Sequence, residues 1–110
     1  MSAPRALYEK LRGAWSRETG AKWRADNPAS GQCSVTALVV QDALGGDLLK
    51  TDVDGAWHFY NRIAGRRWDM TMSQFAQPIG YDDLPCTRDE ALADTAPEKY
   101  ALLRARVLGS

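Results

Sequence analysis

The sequence predicts one small α+β domain, a buried helix packed on an antiparallel sheet of three to four strands, with further helices at the N- and C-terminal ends. Three observations lead there. An apolar segment of helical length, Cys33–Leu44, stops at Gly45-Gly46, and directly after it the apolar period shortens to two. The pairs Asp54-Gly55 and Ala64-Gly65 then cut residues 47–72 into hairpin-connected strands. At 110 residues there is room for one core and not two, so residues 1–110 are expected to form a single domain.

Each element has its own signal. Ser2 is a good N-cap, and Pro4 is tolerated in a first helical turn. Leu7, Leu11, Ala14 and Trp15 follow at helical spacing, and Thr19-Gly20 is expected to end that helix. Residues 21–32 read as an irregular connection because Asp26-Asn27-Pro28 and Ser30-Gly31 form turns, with Trp23 expected to pin it to the core. Cys33–Leu44 is apolar nearly all round, as a central helix should be. Its β-branched residues Val35, Thr36, Val39 and Val40 would also suit a strand, but its length and the Gly-Gly stop favour a helix.

Three strands follow, Asp47–Val53, Ala56–Ile63 and Arg66–Met72, in an antiparallel meander with the helix against one face. Residues 73–86 contain two prolines and no clear period, which predicts an ordered loop with short strand pairing. Thr87-Arg88-Asp89-Glu90 and Thr95-Ala96-Pro97-Glu98 both fit the capping-box pattern, so two more helices are expected. The last of these, roughly residues 96–107, carries Tyr100, Leu103 and Val107 on one face.

Composition excludes several functions. Fourteen basic residues balance fourteen acidic ones, and the Arg66-Arg67 and Arg104/Arg106 pairs are too short for a nucleic-acid-binding stripe. No apolar run reaches the roughly 18 residues of a membrane span. The N-terminus lacks the pattern of a signal peptide, so a cytoplasmic setting is expected, with Cys33 and Cys86 kept as thiols. There is no phosphate-binding glycine loop, and no cofactor is expected.

The chemistry centres on Cys33. A thiol at the start of a helix lies at the positive end of the macrodipole, which favours the nucleophilic thiolate. A nucleophile also needs a base, and a third group to orient that base. His58 is the one histidine in the chain. If Ala64-Gly65 is a two-residue turn, Ile63 faces Arg66 and Tyr60 faces Asp69. Asp69 then lies diagonal to His58, at about 5.5–8 Å between Cβ atoms. A slip of one residue would turn Asp69 to the other face. Asn61, on the face opposite His58, is the weaker orienting candidate. For an oxyanion hole the backbone N–H of Cys33 is one donor, and the side-chain amide of Gln32 or Asn27 is a candidate second.

Ordinary structural roles stand beside these. Cysteine is commonly a buried apolar residue, a strand histidine among aromatics can simply be packed, and Asp69 can pair with Arg67. Gln32 can be a surface or capping residue. As metal ligands, Cys33, His58 and Asp69 would come without an HExxH or a Cys-x-x-Cys pattern, and no metal is expected.

The run Asn27-Pro28-Ala29-Ser30-Gly31-Gln32-Cys33-Ser34-Val35-Thr36-Ala37-Leu38-Val39-Val40-Gln41-Asp42, then Gly45-Gly46, His58-Phe59-Tyr60-Asn61-Arg62, Asp69-Met70-Thr71 and Gln74-Phe75, resembles the YunG-like family of small bacterial proteins. The resemblance covers roughly residues 23–75. The order Cys, His, Asp on helix, strand and strand is also similar to the papain-like and transglutaminase-like cysteine hydrolases. That similarity implies Cys33 as nucleophile, His58 as base and Asp69 as orienting group. The implied function is a cysteine hydrolase or acyltransferase acting on an amide, ester, thioester or peptide. Size is the departure, since little chain remains for a separate substrate-binding lobe. The other reading of the same fold is a non-catalytic partner-binding or oligomerisation module, with the four tryptophans and four tyrosines as anchors.

Overall fold

The structure is a computed structural model describing residues 2–109. Helix α1 (Ala3–Ala14) begins where Ser2 accepts the Arg5 N–H. It ends at Ala14 and not at the expected Thr19-Gly20. Trp15 leaves the helix in an extended conformation, and its indole N–H donates to Thr36 Oγ1 at 2.9 Å. Burying a large aromatic against the next helix, with its one polar hydrogen satisfied, outweighs the extra turn. Ser16 and Thr19 then close a tight turn, in which Thr19 Oγ1 accepts the Ser16 N–H at 3.0 Å. Trp23 packs half-buried against the larger core cluster, as expected of the connection it pins.

Helix α2 (Cys33–Leu44) is buried without a break from Ser34 to Val40. Gly45 ends it with φ at 72° and returns its N–H to the Gln41 carbonyl at 2.9 Å. Gly46 is required by space as well as by its φ of 81°, because a Cβ there would lie 2.1 Å from the Arg62 carbonyl oxygen. That contact fixes the end of the helix against the sheet.

Strands β1 (Asp47–Val53), β2 (Ala56–Ile63), β3 (Arg66–Trp68) and β4 (Leu84–Pro85) form one sheet in the order β3-β2-β1-β4. All three pairings are antiparallel. The second hairpin has the expected register, with Ile63 opposite Arg66, but it closes at Asn61 opposite Trp68. β3 therefore stops at Trp68 and does not reach Met72. Asp69 leaves the ladder because its own carboxylate accepts the Thr71 N–H at 3.2 Å, a local turn that competes with strand pairing. A short 3₁₀ turn, Met72–Gln74, follows.

Helix α3 (Arg88–Ala93) has a complete capping box between Thr87 and Glu90. Helix α4 (Pro97–Leu108) does not, and its N-cap is Ala96 rather than Thr95. Pro97 holds the residue before it extended, at φ −143° and ψ 148°, so the helix starts at the proline and the expected Thr95 box cannot form. Leu103 and Val107 bury one face of α4 against α1 and α2.

The sheet has two unlike faces. Leu48 and Phe59 pack on Ala37 and Leu38 of α2, and on Ala91 of α3. Thr51, His58 and Tyr60 face the other way and are covered by residues 69–83, through bonds to Asp69, Gly80, Asp82 and Asp83. Among the described residues, no helix is long and apolar enough to cross a membrane.

Candidate active site

The start of α2 meets the hairpin end of β1 and β2 at an open cleft of ≈ 440 Å³, whose lining includes Cys33 and His58. Cys33 is half-buried and free. His58 is 3% exposed and sits opposite Thr51 in the β1–β2 ladder. Its Nε2 lies 2.7 Å from Asp69 Oδ2. A ring nitrogen held by a carboxylate is the one that carries the proton, which leaves Nδ1 for the thiol. The edge of Phe75 meets the imidazole at 4.8 Å between centroids, and Tyr60 stacks on it at 5.9 Å.

Burial works against a charge on His58. The hydrogen bond to Asp69, then that to Cys33, then the charges of both outweigh it and carry its pKa from 6.5 up to about 9. The imidazole is therefore cationic at neutral pH, with the Cys33 side chain as its second hydrogen-bond partner.

Asp69 reaches His58 from the turn beyond β3 and not from a strand. Its side chain is 3% exposed and both oxygens are engaged. Oδ2 is shared between His58 and the Tyr81 hydroxyl, each at 2.7 Å. Oδ1 accepts the Thr71 N–H at 3.2 Å and its hydroxyl at 3.3 Å. Burial, and next the bond to Asp69, push the Tyr81 phenol well above its ordinary pKa, so it remains a donor. Tyr81 is itself held between Tyr60, 4.9 Å away edge to face, and Arg67, 4.5 Å over its ring. Arg67 also clamps Asp83 with two bonds, of 2.8 and 2.6 Å. Sequence reasoning misses Tyr81, because it lies in the aperiodic stretch 73–86; a tyrosine between a glycine and two aspartates is the one signal there.

The remaining candidates are elsewhere. Asn61 faces α2 and donates to the Ala37 carbonyl at 3.0 Å, so it does not touch His58. Gln32 stands at the N-cap position of α2, but its side chain is completely buried and does not cap the helix. Its Oε1 accepts the Thr19 hydroxyl at 2.7 Å, and its Nε2 donates to the carbonyls of Ser16 and Gly20 at 3.2 and 3.5 Å. Asn27 donates to the Gln74 carbonyl at 3.0 Å. Neither amide lines the cleft. The donors left at the helix start are the first-turn backbone N–H groups of α2, which the Gln32 side chain does not cap. Cys86 lies outside the cleft, and burial, with Glu90 behind it, pushes its thiol up to about 11. Among the described residues, no group of three or more His, Cys, Asp or Glu side chains could hold a metal ion.

Against known proteins, the family model described as "YunG protein" matches residues 3–110. The chain belongs to the YunG family. The "Uncharacterized protein YunG" of Bacillus subtilis (strain 168) is 50% identical over 94 residues, covering 86% of this chain and 82% of that protein. The family match thus extends well beyond residues 23–75, taking in α1 and α4 as well as the Cys33–Phe75 block. No solved structure matches the chain.

Proposed function

We propose that this YunG-family protein is a cysteine hydrolase or acyltransferase of papain-like type, with Cys33 as nucleophile, His58 as proton carrier and Asp69 as orienting group. The observation that carries the reading is the buried Asp69–His58 pair, 2.7 Å apart, beside a free cysteine on an open cleft. The Cys33 thiolate attacks the carbonyl carbon of an amide or thioester, and the carbonyl electron pair moves to oxygen, where first-turn N–H groups of α2 can hold it. Nδ1 of the His58 imidazolium then gives its proton to the departing nitrogen or sulfur, leaving an acyl group on Cys33. Water, or an acceptor amine, adds to that acyl group and loses its proton to His58 as the carbon–sulfur bond breaks. Tyr81 acts through Asp69 as a positioning residue.

The alternative, a binding module, would suit a cysteine sealed beneath an aromatic patch. The half-buried Cys33 on an open cleft favours the enzymatic reading. The test is iodoacetamide labelling between about pH 5.5 and 7, where an ordinary thiol is almost wholly protonated. Cys33 should react at least roughly tenfold faster than a free thiol, His58→Ala should slow it, and Cys33→Ala should abolish labelling at that site while the fold persists. Labelling of Cys33 at or below the free-thiol rate, or only after denaturation, would overturn the proposal.

A further inference from the structure

We infer that the cleft selects an acyl donor bearing a carboxylate, seated between Lys22 and Lys99; this rests on Cys33 being the nucleophile. The charged residues of the cleft are Lys22, Lys99, Asp94 and His58. Both lysines lack an ion pair or side-chain hydrogen bond among the described residues, as does the Asp94 carboxylate. Elsewhere this electrically neutral chain pairs most of its cations, for example Lys50 with Glu90, Arg67 with Asp83, Arg88 with Asp42 and Arg106 with Glu18. Two of the four lysines are left unpaired in this one cleft, against a single carboxylate, with an imidazolium at its base.

Neither lysine is explained by the stability of its own element. Lys99 is in the first turn of α4, where a positive charge opposes the helix dipole. Lys22 packs its stem over Gly31, two residues before Cys33, so closely that a Cβ on Gly31 would come within 2.7 Å of the Lys22 Cβ. The close approach of Lys22 that, with a φ of 72°, requires a glycine there also sets a cation beside the helix entrance. Trp57, 47% exposed, and Phe75 supply the apolar lining for the rest of the acyl group.

The experiment compares two alkylating agents on the full chain, iodoacetate (anionic) and iodoacetamide (neutral), with the modified cysteine identified by mass. In each, the thiolate displaces iodide and a carbon–sulfur bond forms. The imidazolium alone favours iodoacetate, so the decisive quantity is the change in the rate ratio when the lysines are altered. At about 10 mM ionic strength, Lys22→Glu with Lys99→Glu should lower the iodoacetate-to-iodoacetamide ratio at Cys33 on the order of fivefold, and the two Lys→Gln changes should lower it by less. Lys10→Glu, outside the cleft, should leave it unchanged, and about 0.5 M salt should erase the difference. An unchanged ratio in the double variant, with rapid iodoacetamide labelling, overturns the selectivity alone. A wild-type iodoacetamide rate equal to that of a free thiol overturns the nucleophile itself, whatever the ratio does.

Discussion

On the α2 side of the sheet, Leu48 and Phe59 are buried among Ala37, Leu38 and Ala91, and the contacts are nearly all apolar. On the other side, Thr51, His58 and Tyr60 are just as buried, yet they meet residues 69–83 through carboxylates and hydroxyls. The first face derives its stability from removing apolar surface from water, a force without direction. The second depends on directed bonds whose partners must all be present, because a buried polar group left unpaired costs more than its bond contributes. The His58–Asp69–Tyr81 part of the candidate site lies on the second face, where geometry is specified most tightly and where titration can change it, while Cys33 comes from α2 on the first.

That contrast can be broken at three places. Phe59→Ala should destabilise the fold by about 3–5 kcal/mol, measured by urea unfolding, and should do so equally across pH. Asp69→Asn should cost on the order of 3 kcal/mol near pH 6.5, and the cost should depend on pH. His58 has its folded pKa raised from 6.5 to about 9, so its contribution is fully present below pH 6.5 and is lost as pH rises through 9. The wild-type unfolding midpoint should fall over that window, and the Asp69→Asn variant should lose most of that slope. The His58 ring signals of that variant, followed by NMR, should titrate below 6.5, because burial then acts with its main opponent gone. Tyr81→Phe is the smallest change, at about 1 kcal/mol. It should also raise the His58 titration slightly, since Asp69 Oδ2 would keep one donor instead of two. A fall would mean that Tyr81 supports the imidazole in some way other than through that oxygen.

Much of the molecule is legible in the sequence because the signals are local. The helix from Cys33 to Leu44 follows from its apolar run and the Gly-Gly stop, and the Ile63–Arg66 pairing follows from the Ala64-Gly65 turn. What cannot be read depends on partners distant in the chain, or on a local bond that strand periodicity does not register. Trp15 ends α1 early because Thr36 is there to receive its indole, 21 residues on. Asp69 bends out of β3 through its bond to Thr71. Gln32 has the sequence position of an oxyanion donor because it adjoins Cys33, but Thr19, Ser16 and Gly20 claim its amide. Tyr81 reaches Asp69 from a loop with no period at all.

The engagement of Gln32 bears on how the molecule can be cut and rebuilt. Its buried amide laces the residue before the nucleophile to the stretch that leaves α1, so the N-terminal segment is more than a cover for the core. Shortening or swapping residues 16–20 would move the seat of Cys33 itself. For anyone grafting this site onto another scaffold, the smallest transplantable unit includes that strap together with the helix and the hairpin.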